Sequence, residues 1–176
     1  PLAQLDARVR VISKRGERII PILEFHRLPG DNPHVDTNLA PDELITAIEL
    51  PPDNFAAHYQ YIKIRDRRSY AFALVSVAAA LELDGDRILR GRIALGGVAH
   101  KPWRNEEAER MLEGKIADEA LFHQVANSMV GDAHGFRYNQ FKIELAKRAI
   151  VRALSEARDL SEPEPLNCYT YNRHHQ

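Results

Sequence analysis

Lys63, Arg65, Arg67 and Arg68 surround Asp66 in the stretch IKIRDRR, directly ahead of the apolar run AFALVSVAAA. Four cations and one acid where a polar segment meets a β-prone one suit an anionic or polarised ligand, held where a rigid scaffold meets a loop. The plainer alternative is a solvated loop leading into a core strand, and composition alone leaves both open. Other chemistry has less to stand on. The histidines His26, His34, His58, His100, His123, His134, His174 and His175 form no HExxH or HxxxH pattern, and no His/Cys cluster, so no metal site is expected. No serine sits in a GxSxG elbow, and Cys168 lies near the C-terminus, so nucleophilic hydrolysis is not supported. Gly96-Gly97 lacks phosphate-loop spacing and reads as a strand kink where the backbone approaches a neighbour. Trp103 reads as a packing anchor between the sheet and the helix after it.

The bulk numbers bound the possibilities. A chain of 176 residues can bury a real core. Its net charge of −1 lacks the basic excess of a nucleic-acid binder, and no apolar run approaches the ~18 residues of a membrane span. One cysteine excludes an internal disulfide and any CxxC motif. No signal-peptide pattern opens the chain. PLAQLDARVRV reads like the middle of a longer sequence, and the compartment stays open between cytoplasm and periplasm.

The elements around the charged stretch follow from periodicity and turn chemistry. Ala7–Ser13 alternates as a half-buried strand, Lys14–Glu17 is a turn, and Arg18–Ile22 returns, making a hairpin. His26–Asn38 is loop by composition. Leu44–Leu50 is a strand that Pro51-Pro52 must stop. In His58–Arg65, Tyr59, Tyr61 and Lys63 share one side. Ser69–Leu74 is ambiguous. Val75–Leu83, Asp84-Gly85-Asp86 and Arg87–Val98 read as a hairpin on a DG turn. Alanines 78, 79 and 80 favour an element packed closely over that face. Helices are expected over Asn105–Glu113, closed by Gly114, over Asp118–Val130, and over Asn139–Asp159 with a stripe of Phe141, Leu145, Ala149, Val151 and Leu154. The fold class is α+β: a small antiparallel sheet of three to four strands packed on a bundle of three helices, preceded by a β-hairpin.

SYAFALVSVAAALEL followed by RIALGGVAHKPWR resembles the flavoprotein subunit of the xanthine dehydrogenase family of molybdenum hydroxylases, as do EFHRLPGDNPHVDTNLAPDELITAIELP and YNQFKIELAKRAIVRAL. The resemblance implies that residues 1–40 trail from an FAD-binding domain, that 41–160 form a domain like the C-terminal domain of the carbon monoxide dehydrogenase flavoprotein, and that 161–176 are a tail. By the same resemblance, Ile45 packs against the flavin ring, Lys63 stands at the isoalloxazine, and Ile64–Ala73, with Arg65, Asp66 and Arg67, is the mobile segment over the flavin. The implied cofactor is FAD, with the molybdenum cofactor and iron–sulphur clusters in two partner subunits of a heterotrimeric oxidoreductase. The family's glycine-rich phosphate turns would lie upstream of Pro1, so this stretch by itself should bind FAD weakly or not at all, and its uncovered apolar surface favours self-association. The rival reading is a subunit-docking domain without flavin contact, in which the basic loop is a contact surface.

Overall fold

The computed structural model describes residues 1–52, 55 and 57–160. The tail readings on Cys168, His174 and His175 lie outside the described residues. Two three-stranded antiparallel sheets organise the chain: β2-β1-β3 and β4-β5-β6. The sheet-plus-three-helix arrangement and the preceding hairpin are those expected from the residues.

In the first sheet, β1 (Arg8–Ser13) pairs with β2 (Gly16–Pro21) across the Lys14-Arg15 turn, where Gly16 supplies a φ of +118°. Val9 and Val11 point inward while Arg8 and Arg10 are exposed, the alternation that marked the strand in sequence. α1 (Ile22–Phe25), a single turn absent from the sequence reading, follows β2 and buries Ile22 and Phe25. β3 (Leu44–Glu49) hydrogen-bonds to β1 through a register shift at Arg10/Val11. It therefore completes the first sheet, and it ends just before Leu50-Pro51-Pro52, where ladder donors run out.

The second sheet carries β4 (His58–Ile64), β5 (Val75–Asp84) and β6 (Arg87–Gly96). Gly85 turns β5 into β6 with a φ of +57°. The central strand β5 is covered on both faces. Val75, Val77, Ala79 and Leu81 join the core beneath the helices. Ala78 lies on the opposite face, with its partner Ala94 and the Ala3 and Ile22 side chains of the N-terminal layer. The alanine run thus answers to two close neighbours, one per face.

Three helices cap the sheet. α2 (Glu106–Arg110) starts where the Asn105 side chain accepts from the Glu107 and Ala108 N–H groups, and turns carry the chain on to Gly114. α3 (Glu119–Met129) is capped by Asp118, which accepts from Leu121 N at 2.7 Å. In α4 (Phe141–Asp159) the buried stripe is Ala146, Ala149, Ile150, Ala153, Leu154 and Ala157, with Val151 beside it. Its small residues let the helix lie close on β5, while Ile150 and Leu154 each contribute about 1.5–3 kcal/mol by burial. Phe141, placed on the stripe by spacing, is exposed. Trp103 packs against the core, pairs by backbone with Leu95, and donates its indole N–H to Met129 O at 2.8 Å. It anchors β6 to the end of α3, not to α2. No helix among the described residues is long and apolar enough to cross a membrane.

One ion network ties the N-terminal layer to this body. Arg104 holds Glu109 through two hydrogen bonds of 2.8 Å, contacts Asp6, and donates to Ala3 O at 3.1 Å. Glu109 also accepts from the Ile93 N–H, and Arg92 reaches Asp6 at 3.0 Å. Burial opposes the Arg104 charge, but Glu109 and then Asp6 outweigh it and hold its pKa above the ordinary value.

Candidate functional site

The charge-dense stretch lies where β4 leaves the sheet. Lys63 stands on the exposed face of β4 with Tyr59 and Tyr61, while Ile62 on the other face is buried. Beyond Ile64 the chain makes a loop over residues 65–73, pinched shut at its base by Leu74 N donating to Ile64 O at 2.8 Å. Gly97 seals the same base. Its φ is +75°, and a Cβ there would meet Ala73 O at 2.8 Å. The Gly96-Gly97 kink is thus a close backbone approach, as the spacing indicated, and not a phosphate cradle.

Lys63, Arg65, Asp66 and Arg67 are brought together in one open groove of about 590 Å³, which also takes in Gln60–Ile62, Arg68, Arg152 and Glu156. Arg152 and Glu156 come from α4 and have no sequence signal linking them to β4 beyond their i,i+4 spacing. Glu156 is fully engaged: it accepts from Gln60 Nε2 at 2.7 Å and Arg152 Nε at 2.6 Å. His58 makes a parallel tie, its Nδ1 lying 3.1 Å from Ala157 O. Together these bonds fix β4 against α4, so Lys63 stands on rigid backbone. Among the described residues Lys63, Arg65 and Arg68 form no ion pair, and Arg67 spends one N–H on the Tyr70 carbonyl. With five cations, Lys63, Arg65, Arg67, Arg68 and Arg152, against the two acids Asp66 and Glu156 in its lining, the groove carries a net positive field.

Along the same face of β4 the lining turns apolar. Tyr61 borders the groove and two cavities between the N-terminal segment and the second sheet, of about 470 Å³ and 270 Å³. The larger is walled by Leu5, Leu50, Pro51, Phe55, Tyr59 and Ala78. Apolar trough and cationic groove thus meet at Tyr61, an arrangement that suits a flat apolar ring with an electron-rich edge. Sequence alternation put Tyr61 beside Lys63 but did not show it as the junction.

Ile45 lies elsewhere. It sits on β3, the edge strand of the first sheet, paired with Val11 and 42% exposed, and it lines none of the three cavities that Tyr61 borders. Ile48 continues the same half-exposed apolar edge. Two residues that sequence reasoning passed over stand out on the loop. Tyr70 adopts a φ of +51°, unusual for an aromatic residue, and Tyr70 and Phe72 are each 95% exposed.

Residues 58–157 match the CO dehydrogenase flavoprotein C-terminal domain. Among curated proteins, the chain is 47% identical over 156 residues to the aldehyde oxidoreductase FAD-binding subunit PaoB of Escherichia coli (strain K12), covering 88% of this chain and 45% of that one. Among solved structures, quinoline 2-oxidoreductase from Pseudomonas putida 86 superposes with a TM-score of 0.76 at 26% identity, over 89% of this chain and 54% of that one. Reconstituted CO dehydrogenase from Oligotropha carboxidovorans shares the fold, with a TM-score of 0.79 at 22% identity over 91% and 55% of the two chains. The chain spans about half the length of the curated relatives it matches. From β4 to the end of α4, then, this chain belongs to the CO dehydrogenase flavoprotein C-terminal domain family.

Proposed function

We propose that this chain forms one wall of the flavin site in the FAD-binding subunit of a molybdenum-containing dehydrogenase of the xanthine or aldehyde dehydrogenase kind. Molybdenum-cofactor and iron–sulphur subunits are its partners in that assembly. The observation that carries the reading is the junction at Tyr61, where an apolar trough opens onto the unpaired cations of Lys63 and Arg65. On this reading the join between the two domains lies after β3, later than the 40/41 boundary that the resemblance implied; the pairing of β3 with β1 and the start of the matched family region at His58 support it.

The residues fit part of FAD. The apolar trough would take the ring, and Lys63 would hold its electron-rich edge. Among the described residues Gly96-Gly97 offers no open cradle for the pyrophosphate, because Gly97 is packed against the Ala73 carbonyl and its own carbonyl accepts from Lys142 at 3.0 Å. FAD, when bound, collects electrons in pairs and releases them to an acceptor. The Lys63 ammonium would stabilise negative charge at the edge of a bound ring, and would do so without reorganising, because β4 is tied to α4 through Glu156. Arg65 and Arg67 add to that field. Asp66 moderates it, and Arg67 holds the loop through the Tyr70 carbonyl. Ile45 would serve as an apolar contact only where the ligand reaches the edge of the first sheet.

Hydrogen exchange of the full-length subunit, with and without FAD, tests this. Protection of the amides from Tyr59 to Arg68 is expected. FAD that binds while leaving these amides unchanged would overturn the assignment.

A further inference from the structure

Two loops meet at one end of the second sheet, with Gly97 between them. The Ala73 carbonyl packs against Gly97 on one side, and Lys142 donates to the Gly97 carbonyl on the other. Tyr70 and Phe72 lead into the first contact, and Phe136 and Tyr138 into the second. All four rings are exposed, at 95%, 95%, 78% and 81%. The second loop is built to present them. Phe136 N donates to Asn139 Oδ1 at 2.5 Å, Asn139 N returns a bond to Phe136 O at 3.1 Å, and Arg137 lies over the Tyr138 ring at 5.2 Å.

These rings line neither the groove nor the two cavities that Tyr61 borders. Their ring surface is left almost wholly uncovered. On the loop that carries Tyr70 and Phe72, Arg65 and Arg68 line the groove and form no ion pair among the described residues, and Arg137 stands between Phe136 and Tyr138 on the other loop. Tyr, Phe and Arg together are the residues enriched at protein interfaces, and a rim in which Arg65, Arg67, Arg68 and Arg137 outnumber Asp66 selects a negative partner while speeding its approach.

We propose that this rim docks a small acidic electron-carrier protein, the acceptor side of the flavin reading above, on which the proposal rests. The rim and the groove share the loop over residues 65–73, so a carrier seated on the rings stands beside the groove. Redox encounters of this kind need only a small buried area, because charge steers them. Each carrier takes one electron, so two dock in turn for every two-electron oxidation, and the protons released pass to solvent.

The test uses the full-length protein in its native complex, pre-reduced with limiting dithionite. The probes are cytochrome b5, which is acidic, cytochrome c, which is basic, and an uncharged quinone. The variant combines Phe136→Ser, Arg137→Glu and Tyr138→Ser. Reduction of cytochrome b5 should fall at least about tenfold in the variant and fall with salt in the wild type, with quinone reduction unchanged and cytochrome c a poor acceptor throughout. The proposal is overturned if cytochrome b5 reduction is unchanged, if all acceptors slow together, or if the variant sheds its partner subunits, which would make the rim a subunit interface. A complex without flavin whose titration with cytochrome b5 still depends on the rim would sink the flavin reading and support the docking surface.

Discussion

Arg104 and Glu109 grip each other through two hydrogen bonds of 2.8 Å with only 8% of either side chain exposed. Through Arg104 the pair reaches Ala3 and Asp6, and through Glu109 it reaches the Ile93 N–H. It is the polar bolt between the N-terminal layer and the sheet that carries the site.

Removing Glu109 takes both 2.8 Å bonds from the buried Arg104 guanidinium and leaves it, among the described residues, only the part-exposed Asp6 carboxylate as a counter-charge. Glu109→Ala should cost roughly 3–5 kcal/mol, with Ile93 N–H orphaned as well. Urea unfolding measures the loss. A change below about 1 kcal/mol would mean that solvent reaches Arg104 freely.

Glu43 makes stability depend on acid. Hydrogen bonds from Arg18, and then from the Ala40 N–H, lower its carboxyl from 4.5 to about 2. A folded pKa below the unfolded one gives stability that is complete above 4.5 and drains away as pH falls toward 2. The melting-temperature gap between wild type and Glu43→Gln should therefore narrow through that window. A gap of constant size would contradict the assignment.

Gly97 closes the base of the site loop. Gly97→Ala forces a Cβ against the Ala73 carbonyl at 2.8 Å in a backbone conformation that side chains resist, at a cost of roughly 1–3 kcal/mol. Exchange of the Leu74 amide should quicken while α3 amides stay protected. Uniform loosening would place the strain in the whole sheet.

Much of this was legible because it is local. The Asp84-Gly85 turn, the Asn105 and Asp118 caps and the alternation of Val9 and Val11 each depend on neighbours a few residues away. The partner of β3 was not legible. Its pairing with β1 crosses a bulge and a long loop, and LITAIEL has apolar residues enough for either sheet. Phe141 fits the helical period, yet it lies at the end of α4 where it is left exposed. Likewise the groove announced itself through Lys63 and its arginines, but its far wall, Arg152 and Glu156, comes from a helix that only tertiary packing brings to β4.

The reduction potential of the bound flavin in full-length Lys63→Met protein tests the central claim most directly. Losing a cation beside the ring should lower the potential by about 30 mV, the equivalent of ~1.4 kcal/mol for a two-electron couple. An unchanged potential in a variant that retains its flavin would contradict the account and place Lys63 away from the ring.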